Sequence, residues 1–420
     1  MNVNKEHLMK NRKSLIIVLL TFTLLLSACG NQPVVGEDAQ KTAVSEAVSE
    51  LLTQESKLTE EVPTEEVTPE MTEEPTASPV PDTATPEPTA TLPAYTVGPT
   101  NFPADVNPLT GLKVSDPAIL DRLPVMVKVP NFPAYGRPHG GLSAADIVFE
   151  TWIGGGSNRF AALYYGTDSD YVWPIRSIRI VDPEIATLYN AVIAFSGGDP
   201  VKVMPKIWRI MGNRLFPEGT CPGICDRGSR DVTRLYANTA AITDYFKRNA
   251  IDPGTRPNLD GMKFSEAIPS GGRAASKLEF YFNYYNKSDW VFDQDSGKYL
   301  RWIEDGTSYE MIPLTDKNTE KQLEFSNVIM LFVNHVEIET QLIDIKVWGN
   351  TAGQRAVIFR DGQAFEATWK TSDNETPMAF FDKDGNPFPL KPGNTWVALT
   401  GLSSPESIDG TVWHYDFQMP

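Results

Sequence analysis

The chain has 420 residues, 41% of them hydrophobic, with 37 Lys+Arg against 54 Asp+Glu and a formal charge of −17. That length supports two or three domains with real cores, and the acidity argues against a nucleic-acid binder, which needs a basic face to neutralise phosphate. Three cysteines cannot staple a chain of this size, so a disulfide-framework mini-protein is excluded as well.

Residues 1–28 read as an export signal. Lys10, Arg12 and Lys13 precede the apolar stretch Leu15 to Leu26, whose twelve residues fall short of the about 20 needed to span a bilayer. The run Leu26-Ser27-Ala28-Cys29 resembles a bacterial lipobox, in which Cys29 is diacylated and becomes the new N-terminus. The expected partner is then the cell membrane, on its outer, extracytoplasmic face, held by acyl chains at about 0.8 kcal/mol per buried CH₂.

The following stretch changes character. Residues 30–104 hold fourteen acids, two lysines, eleven prolines and two aromatics (Tyr95 and Phe102), a net charge of −12. Such a composition buries too little apolar surface to offset its ordering entropy, so residues 29–104 are expected to form a disordered acidic tether. Residues 105–420 carry a modest −8, so most of the acidity belongs to the tether.

In residues 105–250, Leu123 to Val129, Asp146 to Ile153, Arg159 to Tyr165 and Ala191 to Phe195 have the β-branched and aromatic content of strands. Asp182-Pro183-Glu184 opens a helix with an N-cap, a first-turn proline and a first-turn acid, and Asp199-Pro200 opens a second by the same device. A third helix is predicted over residues 233–249. Residues 251–276, rich in Gly, Pro and Ser, read as a connection. From Lys277 to the end, short β-type runs alternate with turns such as Asp305-Gly306 and Asp361-Gly362, which is hairpin chemistry. The expected fold class is α+β: an N-terminal mixed α/β domain, then a mostly antiparallel β domain over residues 277–420.

The residues in order carry a resemblance. Asn107-Pro-Leu-Thr-Gly-Leu112, Arg137-Pro-His-Gly-Gly-Leu-Ser-Ala-Ala-Asp-Ile-Val-Phe-Glu150 and Pro174-Ile-Arg-Ser-Ile-Arg179 resemble the N-terminal domain of the YerB-like lipoproteins. Thr368-Trp369-Lys370 and Leu390-Lys-Pro-Gly-Asn-Thr-Trp-Val397 resemble that family's C-terminal domain. The resemblance implies an exported, lipid-anchored, two-domain envelope protein and implies no activity. One departure is that Thr233-Arg234 stand before Leu235-Tyr236-Ala237-Asn238-Thr239, where the resemblance leads us to expect a histidine.

Several clusters are candidates for chemistry. Arg176 and Arg179, just before the helix opened by Asp182, would bind a carboxylate or phosphate, with Arg159 nearby in sequence; the structural alternative is that they pair with Asp182, Glu184 or Asp170. His139 and Glu150 would form an acid/base pair if the fold joins them. Ala194-Phe-Ser196-Gly-Gly198 partly mimics a nucleophile elbow, which would make Ser196 the catalytic residue and would require a histidine from the β-rich part. Cys221 and Cys225 are a possible disulfide in an exported chain and a thiol pair in a reducing one. Gly154-Gly155-Gly156 lacks the lysine of a phosphate loop and reads as a hairpin turn. The tryptophans in or beside strands read as core, although an exposed set would stack on sugars. No metal, cofactor or nucleic acid is expected. The functional expectation is a lipid-anchored binding or scaffold protein that engages a cell-wall polymer or an envelope protein through a cleft between its domains; the alternative is an envelope hydrolase.

Overall fold

The computed structural model describes residues 95–419, so the expected signal segment, Cys29 and the tether up to residue 94 lie outside the described residues. A ten-stranded mixed sheet is the centre of the fold. Its strands are β1 (Val125–Pro130), β2 (Ile147–Gly154), β3 (Ser157–Tyr164), β4 (Val192–Ala194), β5 (Asn327–Val333), β6 (Gln354–Arg360), β7 (Gln363–Lys370), β8 (Ala379–Phe381) and β9 (Thr395–Gly401). They lie in the order β8-β7-β6-β5-β9-β2-β3-β1-β4, with Arg273–Ala274 added beside β7. The pairs β5·β9, β9·β2 and β1·β4 are parallel, and the rest are antiparallel.

The central strands are continuous apolar runs because both of their faces are covered. Every residue of β5 and β9 is buried. On one face Met126, Phe149, Leu163, Ile329 and Val397 meet Ile185 of α1 (Asp182–Leu188) and Ile207 of α2 (Met204–Met211). On the other, Val127, Val148, Phe160, Met330 and Trp396 meet a second, seven-stranded sheet through Leu278, Trp290, Tyr299 and Tyr415. That second sheet is built from residues 277–325 and 406–416.

Helix α1 opens at Asp182 as the sequence reading places it, with Asp182 in the first turn rather than at the N-cap, whereas the other two helices begin later than expected. Asp199 Oδ1 accepts the amides of Val201 (2.9 Å) and Lys202 (2.7 Å), making a turn from which α2 starts only at Met204. Residues 235–237 pair as a strand with residues 224–226, and α3 (Thr239–Arg248) is capped by Asn238, whose Oδ1 accepts from Ala241 N at 2.9 Å.

Three sequence expectations change. First, β9, from the C-terminal half, pairs in parallel with β2, from the N-terminal half (Thr395↔Ile147 to Ala398↔Glu150), so the halves share one sheet and no cleft separates them there. β2 is apolar on both faces and needs a partner on its second edge, and the sequence does not reveal that the partner lies so far along the chain. Second, the tether ends earlier than residue 104, since Thr96–Val97 pairs with Phe264–Ser265 and Val97 is buried. Third, residues 251–276 are more than a connection, because Leu259, Met262 and Phe264 belong to the core. Cys221 and Cys225 are disulfide-linked in this structure.

Candidate functional site

Strand alternation sorts the candidate residues before any ligand is considered. In the β2·β3 ladder Thr151 faces Arg159, and Glu150 faces Phe160. Arg159 therefore projects to the helix-covered face and Glu150 to the inter-sheet face. The residues expected to share one site are divided by the sheet itself.

On the helix side, the carboxyl ends of the parallel strands β1 and β4 carry a cluster of cations. The segment 176–178 is laid across these ends: Arg176 N donates to Lys128 O (2.8 Å), Ser196 N to Arg176 O (3.0 Å) and Ile178 N to Gly197 O (3.1 Å). This brings Arg176 and Arg179 to Arg159, whose Nη1 donates to Ser177 O at 2.5 Å. Beneath them Lys128, fully buried, donates to Asp182 Oδ1 at 2.6 Å. The other carboxylate oxygen of Asp182 accepts Arg179 N at 2.6 Å. Asp182 is thus spent on an ammonium and a backbone amide, and the expected pairing of the arginines with Asp182, Glu184 or Asp170 does not form through their side chains.

The electrostatic result is a surplus. Lys128, Arg159, Arg176 and Arg179 gather around Asp182, with Asp199 a second carboxylate felt by Arg179, and none of the three guanidiniums makes an ion pair among the described residues. Arg176 Nε and Arg179 Nε are buried without a hydrogen-bond partner. Burial, then the charges of Arg179 and Arg176, pull Arg159 down to about 9. Burial likewise lowers Arg179 and Lys128, with Asp182 opposing in both cases. An anion placed among these groups would relieve mutual repulsion and satisfy idle donors, and guanidiniums can do so with paired hydrogen bonds. Helix α1 has only seven residues and its first turn is occupied by Asp182, so the guanidiniums rather than the helix end supply the attraction.

Ser196 lies on the turn after β4, beside this cluster. Its hydroxyl donates to Glu218 Oε1 at 3.1 Å, on the surface. The imidazoles are engaged elsewhere: His139 Nε2 with Pro130 O (2.7 Å), His335 Nδ1 with Val333 O (2.9 Å), and His414 Nδ1 with Glu279 Oε2 (3.1 Å). The nucleophile elbow is a strand-to-helix turn with no histidine base among the described residues.

On the inter-sheet face, Glu150 is fully used. Arg301 reaches it through Nη1 (3.1 Å) and Nη2 (3.2 Å), Trp396 Nε1 donates at 2.8 Å, and Asn158 Nδ2 donates as well. The Arg301 guanidinium is stacked 4.1 Å from the Trp396 ring and 4.9 Å from that of Trp290. His139 packs on Phe160, and burial, followed by the charge of Arg137, depresses it to about 3. The expected acid/base pair is therefore a neutral imidazole and a carboxylate locked by a buried arginine. Neither reaches solvent, since each is about 1% exposed.

The motif residues that carried the family resemblance meet at the opposite end of the sheet. Asn107 Nδ2 donates to Asp146 Oδ1 (2.7 Å), Gly393 N to Thr110 O (2.8 Å) and Thr395 N to Asp146 O (3.0 Å). Asn107, Thr110, Asp146 and Gly393 line a cavity of about 540 Å³ together with Asp116, Ser143 and Lys298. Burial pushes Asp146 up to about 6 against the N–H groups of Tyr165, Gly166 and Asn107. Among the described residues no group of three or more His, Cys, Asp or Glu side chains is placed to hold a metal.

This fold and these motifs have counterparts. Residues 109–252 match the N-terminal domain of DUF3048, described as "Protein of unknown function", and residues 278–397 match its C-terminal domain. The chain belongs to the DUF3048 family. It is 26% identical over 309 residues to the candidate lipoprotein YerB of Bacillus subtilis (strain 168), covering 70% of this chain and 85% of that one. The crystal structure of the Bacillus subtilis YerB protein superimposes with a TM-score of 0.57 at 23% identity, over 70% of this chain and 96% of that chain. The YerB-like fold is thus shared.

Sequence reasoning found the three arginines of the cluster and named Asp182 as a carboxylate beside them, and missed Lys128 beneath it. Lys128 sits within the apolar run Val125-Met-Val-Lys-Val129, and a lysine interrupting a strand that is otherwise buried is the signal that would have exposed it.

Proposed function

We propose that this YerB-like protein is a lipid-anchored, extracytoplasmic binding protein of the cell envelope. Its arginine cluster at the carboxyl ends of β1 and β4 takes an anionic group of a wall polymer or of an envelope protein. The observation that carries this reading is the set of three guanidiniums, Arg159, Arg176 and Arg179, without an ion pair among the described residues. The lipobox-like sequence ending in Cys29 supports anchoring, and the Pro- and Glu-rich stretch that follows supports a spacer that lifts the folded part from the bilayer. Charge-assisted hydrogen bonds of this kind contribute about 1.5–3 kcal/mol each, enough for a selective but reversible contact.

The test is calorimetric titration of the purified chain with inorganic phosphate, a phosphorylated sugar and a dicarboxylate. The expected result is saturable, salt-sensitive binding of at least one, weakened about tenfold or more in Arg176→Ala/Arg179→Ala, equivalent to about 1.4 kcal/mol. Equal binding by the double variant, or no anion binding by the native chain, would remove the reading. Anchoring is tested separately: Cys29→Ala should shift the protein from the membrane fraction to the medium.

A further inference from the structure

Three loops meet beyond the end of the sheet that carries the β2–β3 turn. Tyr284 and Tyr285 form the turn between strands Lys277–Asn283 and Asn286–Asp293, Tyr309 lies just after strand Lys298–Glu304, and Phe132 follows β1. Their ring centroids are 4.8 Å (Tyr284–Tyr285), 5.8 Å (Tyr284–Tyr309), 6.5 Å (Tyr285–Tyr309) and 6.4 Å (Phe132–Tyr285) apart. Tyr284 is 70% exposed and Tyr309 39%, and Tyr135, on the same loop as Phe132, is 62% exposed. Exposed apolar side chains are normally scattered singly, so a contiguous group of aromatic rings drawn from three loops calls for an occupant.

The loops that carry Tyr285 and Tyr309 are fixed in place by polar groups. Asp305 Oδ1 accepts the amides of Thr307, Ser308 and Tyr309, each at 2.8 Å, and Oδ2 accepts the hydroxyls of Thr307 (2.8 Å) and Ser308 (2.7 Å). Asn283 Oδ1 accepts Tyr285 N (3.0 Å), while the side-chain amides of Asn283 and Asn286 both donate to Gly156 O (3.1 Å each). Little ordering remains to be done on binding, and a tyrosine has few torsions to lose.

Size and charge choose the occupant. With each ring offering about 200 Å², the exposed parts of Tyr284 and Tyr309 total roughly 220 Å², well under half of the about 800 Å² per partner that a stable protein interface needs. Two of the nearby charged groups are already engaged, since Arg137 is bidentate to Glu304 (2.8 and 2.9 Å) and Asp305 is satisfied by its own loop, and the exposed Glu310 beside Tyr309 disfavours an anionic occupant. The patch therefore suits a small, uncharged, flat ligand with an apolar face and polar edge. A pyranose ring has that form: its C–H face packs on the negative face of an aromatic ring, and its edge hydroxyls reach phenol hydroxyls and loop amides. The geometry points to a saccharide-binding platform, formed by Phe132, Tyr284, Tyr285 and Tyr309, for uncharged sugar units of a polysaccharide. It lies at the same end of the sheet as the arginine cluster but uses none of its residues.

The experiment is titration of the purified full chain with soluble chitin and cellulose oligomers, followed by calorimetry and tyrosine fluorescence. Saturable binding near the millimolar range is expected, about tenfold or more weaker in Tyr284→Ala and in Tyr309→Ala, retained in Tyr284→Phe, and unchanged in Arg176→Ala/Arg179→Ala. Circular dichroism checks that the variants are folded, which the exposure of these side chains favours. Absence of saturable binding by the native chain to either oligomer series overturns the proposal, as does undiminished binding by Tyr284→Ala/Tyr309→Ala. Loss of saccharide binding in the arginine variant also overturns it, by moving the site to the cluster.

Discussion

Two arginine-bearing regions lie back to back across the same β-hairpin, and they differ in how their charges are balanced. On the inter-sheet face Arg301 is completely buried, paired with Glu150 and stacked between Trp290 and Trp396. On the helix face Arg159, Arg176 and Arg179 are half-buried and share no carboxylate through their side chains. Burial of charge alone therefore does not mark a binding site; a paired buried charge belongs to the architecture, and an unpaired surplus is available to a ligand. Removing residues from the first region should cost stability, and removing them from the second should cost binding.

The largest effect should come from Arg301. Arg301→Met leaves the Glu150 carboxylate buried without its cationic partner, and equilibrium denaturation should show a loss of about 3–5 kcal/mol. Glu150→Gln/Arg301→Met should recover part of that loss, because the uncompensated charge is gone. A cost near zero for the single variant would end the distinction between the two regions.

How much of this contrast is legible in the sequence depends on range. Strands β2, β3 and β5 and the opening of α1 follow from local signals: β-branched runs, a glycine turn, and Asp182-Pro183. Long-range pairing does not. Nothing near Trp396 announces that its indole meets Glu150, or that β9 lies beside β2, because the alternation of a strand fixes which residues share a face but not which strand is the neighbour. The arginines of the helix-face cluster are legible because they are close in sequence and rich in charge. The tyrosine platform is not, since its rings come from three turns, while of the tryptophans that invited a sugar-stacking reading Trp369, Trp396 and Trp413 are core, at most 1% exposed, and Trp152, Trp302 and Trp348 are partly buried.

A middle-sized effect is expected from His139, on the paired side of the comparison. Its ring is held neutral, at about 3 against an ordinary 6.5. The unfolded chain takes up a proton on this residue as pH falls below 6.5 while the folded chain does not, so this residue's contribution to stability is lost on acidification toward pH 3. His139→Gln keeps a donor for Pro130 O and cannot titrate. Between neutral pH and about pH 4 the native chain should lose about 3 kcal/mol more than this variant. Asp146, raised to about 6, acts in the opposite direction over part of that range, but it is common to both chains and cancels in the difference. Parallel pH-dependence of the two chains would mean that the inter-sheet face admits a charged imidazole.

The smallest effect on stability, and the sharpest on binding, is expected at Arg176. Its guanidinium makes no ion pair among the described residues and its Nε has no partner, so Arg176→Ala removes repulsion as well as packing and should change the unfolding free energy by no more than about 0.5 kcal/mol. Sulfate separates this from the ligand effect. General salt exclusion raises the melting temperature of native and variant chains alike, whereas occupation of the cluster adds a term that only the native chain receives, about 2.7 kcal/mol at a hundredfold excess over Kd. A differential scan with sulfate against matched chloride should show the native chain gaining more than Arg176→Ala. Equal gains would mean that these arginines, like Arg301, have found their partners within the fold.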